Sequence, residues 1–124
     1  MTDSRRALGQ LGEALAAREL ERRGYRIVER NWRCPIGEID IIAEKDGRLV
    51  IVEVRTRRGD ERGTPQESIT PAKQARLIQA AQTYLQEHAL DDRDWRIDVV
   101  AVELSPRGEL LRVGVIENAV EEPR

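Results

Sequence analysis

The stretch GEIDIIAEKDGRLVIVEVRTR, residues 37–57, decides the fold. Asp46 and Gly47 lie between two runs rich in isoleucine and valine, and an Asp-Gly pair in this setting is the strongest short-range signal for a β-hairpin. If these two residues form the turn, Lys45 pairs with Arg48. Each further step back along the first strand is then matched by one step forward along the second. The stretch therefore predicts two neighbouring antiparallel strands in a fixed register.

Acidic side chains interrupt both strands of this hairpin. The register places Asp40 opposite Glu53, and Glu38 opposite Arg55. Opposed Cβ atoms lie about 4.5–5.5 Å apart, and alternation turns all four side chains toward one face of the sheet. Two like charges at this distance are unfavourable unless a cation lies between them. A hard divalent cation such as Mg²⁺, which binds carboxylate oxygens, is the simplest candidate.

An ion-paired arrangement is the alternative to a metal site. In that arrangement Glu38 forms a cross-strand pair with Arg55, and Arg57 or another arginine neutralises Asp40 and Glu53. The spacing of the residues allows both the metal site and the ion-paired arrangement, so both stay open.

The remaining segments predict an α/β fold. Leucines at near-helical spacing indicate a helix that ends at Gly24, and Thr70-Pro71 is a typical helix start, with threonine as N-cap and proline at the first position. The predicted segments are a helix over 5–23, a strand over 25–33, two strands within 37–57 on either side of EKDGR (44–48), a loop over 58–69, a helix from 71, and strands over 95–104 and 110–116. The order α-β-β-β-α-β-β indicates one domain over residues 1–124, with a mixed sheet of about five strands and two main helices.

Composition excludes several classes of protein. Hydrophobic residues make up 40% of the chain and charged residues 35%, as in globular proteins, and no apolar run approaches the 18–20 residues, roughly, of a membrane span. Residues 1–10 lack the apolar centre of a signal peptide, so we expect a cytoplasmic protein without membrane contact. A single cysteine, Cys34, forms no intrachain disulfide, and with His88 as the one histidine, zinc chemistry and histidine-based triads are disfavoured.

Basic residues follow the acidic strand and open the second helix. Lys73 and Arg76 lie one turn apart at the start of that helix, where a helix N-terminus favours phosphate. The alternative is a solvated helix face. Asp98, in an apolar strand, either supports the acidic site or pairs with Arg96.

At the hairpin the sequence resembles the YraN-type family of small, uncharacterised bacterial proteins. The resemblance runs from LGQLGEALA (8–16) to IENAV (116–120), and its most specific block is GEIDIIA…VEVRTR. That family belongs to the PD-(D/E)XK, restriction-endonuclease-like superfamily and is similar to archaeal Holliday-junction resolvases. The resemblance therefore implies a restriction-endonuclease-like domain.

The resemblance also implies roles for particular residues. Asp40 and Glu53 correspond to the motif's acidic pair and would bind Mg²⁺ or Mn²⁺, with Glu13 as the third carboxylate. Gly9 and Gly12 would let the first helix approach the sheet closely.

One departure concerns the motif's lysine, whose position holds Arg55. Arginine stays protonated, so Arg55 cannot be a general base, although it can hold a phosphate.

The expected function is a divalent-metal-dependent nuclease that hydrolyses phosphodiester bonds in DNA, including branched or structured DNA. Nucleic acid is expected along five residues: Arg57, Arg58, Lys73, Gln74 and Arg76. Two alternatives stay open: a nucleic-acid-binding module that has lost turnover, and a scaffold protein with an ion-paired acidic cluster. Resolvase-like relatives act as dimers, so the resemblance also allows a homodimer.

Overall fold

A computed structural model describes residues 4–59, 63–64 and 67–120, and these residues form two helices and one five-stranded sheet. The elements are α1 (Ser4–Arg22), β1 (Arg26–Arg33), β2 (Glu38–Lys45), β3 (Arg48–Arg58), α2 (Pro71–Glu87), β4 (Trp95–Leu104) and β5 (Leu110–Ile116). The strands lie in the order β1-β2-β3-β4-β5, with β3 and β4 parallel and the other neighbours antiparallel. The predicted element order and mixed sheet are confirmed. Part of the predicted 58–69 loop lies outside the described residues.

The β2–β3 hairpin has the predicted turn and register. Asp46 and Gly47 both adopt positive φ, at 50° and 80°, as a two-residue type I′ turn requires. Lys45 pairs with Arg48, and the ladder continues in the predicted register as far as Ile41 opposite Val52. This turn fixes which side chains of β2 and β3 come together at the far end of the hairpin.

The two strands part at Asp40. No backbone pair follows Ile41–Val52 in this ladder, and the Asp40 carboxylate accepts a hydrogen bond from the Val54 amide at 2.7 Å. The Asp40 side chain thus accepts the hydrogen bond that a further backbone carbonyl of β2 would accept in a continuous ladder. The strands open at this point, and the opening exposes the carboxylates at the end of the hairpin.

The expected pairing of Glu38 with Arg55 is wrong. Glu38 lies opposite Arg33 of β1, and its carboxylate is 3.2 Å from Arg33 Nε. Arg55 Nε donates instead to Ser68 Oγ at 3.0 Å. Because β2 has turned away from β3 at this level, β1 supplies the nearest arginine to Glu38.

Each face of the sheet is covered by one helix. Apolar residues of α1 pack on one face and those of α2 on the other, which explains why β2, β3 and β4 carry consecutive buried residues. The α1 side includes Ala16, Leu20, Ile41, Val50, Val52 and Val100, and the α2 side includes Ile42, Ile51, Leu77, Ile78, Ala81 and Ile97. None of the helices in the described part of the chain is long and apolar enough to cross a membrane.

Local signals in the sequence place both helices. Gly24, at φ 91°, follows the end of α1 as predicted. Thr70 caps α2, since its hydroxyl accepts the Lys73 amide at 3.2 Å, and Pro71 occupies the first turn. Gly12 is the close contact of α1 with the sheet, because an added Cβ there would lie 1.8 Å from Thr56 Oγ1. Gly9 has open space around it, so only the Gly12 part of the expectation is confirmed.

Candidate functional site

Three carboxylates from two elements meet where β2 and β3 part. Glu13 of α1 and Glu38 and Asp40 of β2 each offer one oxygen, and these oxygens lie within 4.8 Å of one another. Gly12 allows this approach, because it holds the adjacent turn of α1 directly against β3. Like charges at such distances repel unless a proton or a cation compensates them.

Glu53 adds a fourth carboxylate through its contact with Asp40. Burial, a hydrogen bond to Glu53 and the charge of Glu53 together raise the pKa of Asp40 to about 8, against the weaker opposing effects of the Val54 amide and Arg55. Near neutral pH, Asp40 therefore keeps a proton that an ordinary aspartate would have released, as long as no cation is bound. The expected closeness of these two side chains is confirmed, although the backbone ladder ends one residue earlier.

Glu13 carries an unsatisfied oxygen. Its Oε1 atom is buried and has no hydrogen-bond partner within the part of the chain that the structure describes. Burial raises the pKa of Glu13, and the charges of Asp40 and Glu38 raise it further, whereas Arg30 and Arg33 lower it. Buried polar atoms are almost always paired, and a bound ion or water molecule is a common partner for one that no protein group satisfies.

These donors fit a hard divalent cation. All four are carboxylates, and Mg²⁺ and Mn²⁺ prefer oxygen ligands, whereas zinc and copper sites are usually built with histidine or cysteine. Mg²⁺ needs only one or two protein carboxylates, with water filling the other positions. Such a cation would satisfy the unpaired oxygen of Glu13 and would replace the proton that the raised pKa of Asp40 retains.

Two cavities reach the acidic pair from opposite sides. The α1-side cavity, of about 630 Å³, is lined by Glu13, Asp40, Glu53, Arg55 and Thr56 among others. The α2-side cavity, of about 240 Å³, is lined by Ile36, Glu38, Asp40, Glu53, Lys73 and Arg76 among others. Because Asp40 and Glu53 line both, a ligand on either side of the parted strands can reach them.

Three of the predicted cationic residues lie at this site. Lys73 and Arg76 line the α2-side cavity together with the acidic pair, which places positive charge on the wall facing the carboxylates. Arg55 lines the α1-side cavity, and its charge lowers the pKa of Asp40. The sequence predicts that all three contact phosphate, and the arrangement of charges is compatible with that role.

The other three predicted nucleic-acid contacts lie elsewhere, since none lines either cavity. Gln74 Nε2 donates to the Ile69 carbonyl at 3.0 Å and faces a different cavity. Arg57 is nearly buried, and its Nη1 donates to the Gly63 carbonyl. Arg58 is exposed, and its Nε donates to the Pro106 carbonyl at 2.9 Å. Binding of nucleic acid by Gln74, Arg57 and Arg58 stays a prediction.

Asp98 belongs to a separate buried network. Its carboxylate accepts from the Tyr25 hydroxyl at 2.9 Å, Arg96 Nε at 3.0 Å and the Asn118 amide at 2.9 Å. Burial, together with Asp98, raises the pKa of Tyr25 to about 12. The pairing of Asp98 with Arg96 is confirmed, and the network ties β4 to the segment after α1.

Sequence reasoning missed two parts of the site. The sequence places Glu38 on the same face as Asp40 but gives it no ligand role, whereas it belongs to the cluster with Glu13 and Asp40. Its spacing of two residues from Asp40 was the available signal, since alternate strand residues share a face. The contact of Ser68 with Arg55 left no signal, because it depends on the path of the loop before α2.

Comparison with known proteins identifies the family. A family model described as "Uncharacterised protein family UPF0102" matches residues 12–102. A UPF0102 protein of Roseiflexus castenholzii is 52% identical over 123 residues, covering 98% of this chain and 99% of the relative. One from Moorella thermoacetica is 50% identical over 119 residues, covering 96% and 99%. The chain belongs to the UPF0102 (YraN) family, which confirms the resemblance seen in the sequence.

Solved structures give more distant likenesses. An FdxN element excision controlling factor protein from Anabaena variabilis aligns with a TM-score of 0.44 at 11% identity, covering 84% of this chain and 98% of that one. Pyrococcus furiosus SfsA, solved in complex with Ca²⁺, aligns with a TM-score of 0.44 at 16% identity, covering 90% and 64%. At these values the likeness concerns the general path of the chain.

Proposed function

We propose that this member of the UPF0102 family is a divalent-metal-dependent nuclease that hydrolyses phosphodiester bonds in DNA, including branched or structured DNA. One observation carries the proposal: Asp40 and Glu53, with Glu38 beside them, share a cavity with Lys73 and Arg76. Carboxylates that hold a cation, facing cations that hold a phosphate, are the two halves of a phosphodiesterase site.

The acidic half would hold Mg²⁺ or Mn²⁺. Asp40, Glu53 and Glu13 are the proposed ligands, and Glu38 offers a further oxygen in the same cluster. When bound, such a cation lowers the pKa of a water molecule and offsets charge on the phosphate. Binding requires release of the proton that the raised pKa of Asp40 retains, so metal affinity should rise with pH.

The basic half would orient the phosphate. Lys73 and Arg76 lie on the first two turns of α2, where the helix dipole adds a partial positive charge. A phosphate between these side chains and the acidic pair would contact both walls of the α2-side cavity. Arg55, on the α1 side, would neutralise charge on a phosphate oxygen, but it would not accept a proton because arginine stays protonated.

A second candidate is a nucleic-acid-binding module without turnover. Arg55, in the place of the superfamily's lysine, favours it, because the group that can help to position or activate water is missing. The scaffold alternative requires the carboxylates to be ion-paired. Against it, Glu13 Oε1 has no hydrogen-bond partner among the described residues, and the pKa of Asp40 is raised, whereas an ion pair would lower it.

Cleavage assays on single-stranded, flapped and four-way DNA test the proposal. We expect cleavage that needs Mg²⁺ or Mn²⁺, is lost in Asp40→Asn and is unchanged in Asp92→Asn, an exposed aspartate of the loop before β4. Absence of cleavage with metal and DNA both bound would leave the binding module. Absence of metal binding would leave the scaffold.

A further inference from the structure

A separate cavity of about 520 Å³ runs along the exposed side of α2, beyond Arg76. We call it the amide groove and define it by Gln79, Thr83, Gln86 and Trp95, which are among the residues that line it. Gln79 and Gln86 are exposed, whereas Trp95 is half-buried and packs against the core on the α2 side of the sheet. The groove therefore combines exposed amides with one aromatic wall that packs on the core. Its volume is in the range of about 300–1,000 Å³ that small-ligand sites occupy.

The amide groove continues the α2-side cavity. Ile36 lines both, so the two cavities meet at this residue. Lys73, Arg76, Gln79, Thr83 and Gln86 follow one another at steps of three or four residues and form one stripe along α2. Gln86 lies thirteen positions after Lys73, which makes the stripe about 20 Å long at 1.5 Å per residue. A chain-like ligand held at Lys73 therefore has a continuous surface to follow.

The chemistry of the stripe changes along its length. It begins with two cations and continues with uncharged amides and a hydroxyl, and Asp91 on the wall of the groove would repel a phosphate. Glutamine offers both donors and an acceptor, which suits the mixed donor and acceptor edges of nucleobases. Tryptophan offers a face on which a base can stack. The groove thus suits a base, while the cationic start of the stripe suits the phosphate.

We propose that the amide groove binds an unpaired nucleobase next to the phosphate held by Lys73 and Arg76. The inference rests on the proposed function and adds a substrate class to it, because a base in this groove has left its duplex partner. Single strands and flaps offer such bases, whereas an intact duplex does not.

Oligonucleotide binding without divalent metal tests the inference. We would measure anisotropy of labelled oligothymidylate, of an abasic oligomer of the same length, and of oligouridylate. The variants are Gln79→Ala combined with Gln86→Ala, and Gln10→Ala as control, an exposed glutamine on α1. All three glutamines are exposed, so these changes leave the core intact. Lys73→Ala combined with Arg76→Ala reports on the phosphate contacts.

The wild type should bind the thymidylate oligomer about tenfold more tightly than the abasic one, as expected for one stacked base. The double glutamine variant should lose most of this difference and keep its salt dependence, and Gln10→Ala should match the wild type. The lysine–arginine variant should weaken both oligomers alike. Equal loss with oligouridylate also supports the inference and shows that the groove does not select the sugar.

Equal affinity for the thymidylate and abasic oligomers, or an unchanged difference in the glutamine variant, would overturn the inference and leave the proposed function standing. A second measurement is quenching of Trp95 emission in a Trp32→Phe background, which thymidylate should produce and the abasic oligomer should not. No salt-dependent binding of any oligomer would overturn the inference and the proposed function together.

Discussion

Replacing Asp40 by asparagine should change how stability depends on pH. Asparagine keeps the size of the side chain and an oxygen that can accept the Val54 amide, so the opening of the hairpin is preserved. It removes the carboxyl group whose pKa is raised by burial and by Glu53. The substitution therefore isolates the titration of one buried group.

The sign and the magnitude follow from the shifted pKa. The pKa of Asp40 is raised from 3.8 to about 8 on folding, so between these values the folded chain holds a proton that the unfolded chain has released. Stability from this group therefore falls as pH rises, by about 1.4 kcal/mol per pH unit. From pH 5 to pH 7, well inside the window, the wild type should lose roughly 2–3 kcal/mol that Asp40→Asn does not lose.

Urea unfolding at pH 5 and pH 7, with metal removed by chelation, measures this difference. Asp40→Asn should be more stable than the wild type at pH 7, with the advantage shrinking at pH 5. The control is Asp92→Asn, an exposed aspartate whose removal should leave the wild-type dependence on pH. If the free-energy gap between wild type and Asp40→Asn were the same at both pH values, the pKa of Asp40 would not be raised on folding, and the reasoning would be refuted.

Three further predictions concern the approach of α1, the basic wall and the arginine of the motif. Gly12→Ala should lower the unfolding free energy by about 1–3 kcal/mol, because its Cβ would overlap a β3 side chain. Gly9→Ala should not destabilise the protein, and urea titration of both variants measures the difference. Lys73→Ala with Arg76→Ala should weaken DNA binding and reduce the slope of log affinity against log salt by about 2, and an unchanged slope would remove both residues from the interface. In cleavage assays Arg55→Lys should retain or raise activity and Arg55→Ala should lose roughly tenfold or more, while intact cleavage by the alanine variant would make Arg55 a structural residue.

Much of the fold could be predicted from local signals in the sequence. The Asp46-Gly47 turn fixed the β2–β3 register, and Thr70-Pro71 fixed the start of α2, because both signals act through the backbone conformation of a few neighbouring residues. The bounds of β4 and β5 agree with the apolar runs on either side of a proline- and glycine-containing turn.

The site could be predicted only in part, because it depends on packing between elements that are distant in the sequence. The closeness of Asp40 and Glu53 followed from the hairpin register, but the parting of the strands at Asp40 did not, since a side-chain carboxylate replaces a backbone acceptor there. Glu13 and Lys73 reach the cluster from helices on opposite faces of the sheet, and no spacing in the sequence encodes that meeting. Glu13 entered the prediction only through the family resemblance.

The central claim is that the carboxylates around Asp40 form a divalent metal site, and titration of the isotope-labelled protein with Mn²⁺ at neutral pH tests it most directly. Paramagnetic broadening should centre on the amides of Glu13, Asp40 and Val54, saturate as one site, reverse with excess Mg²⁺, and disappear in Asp40→Asn. Glu44, whose carboxylate is paired with Arg26 and Arg93, provides a comparison elsewhere on β2. Broadening centred on Glu44, or equal broadening in wild type and Asp40→Asn, would contradict the claim.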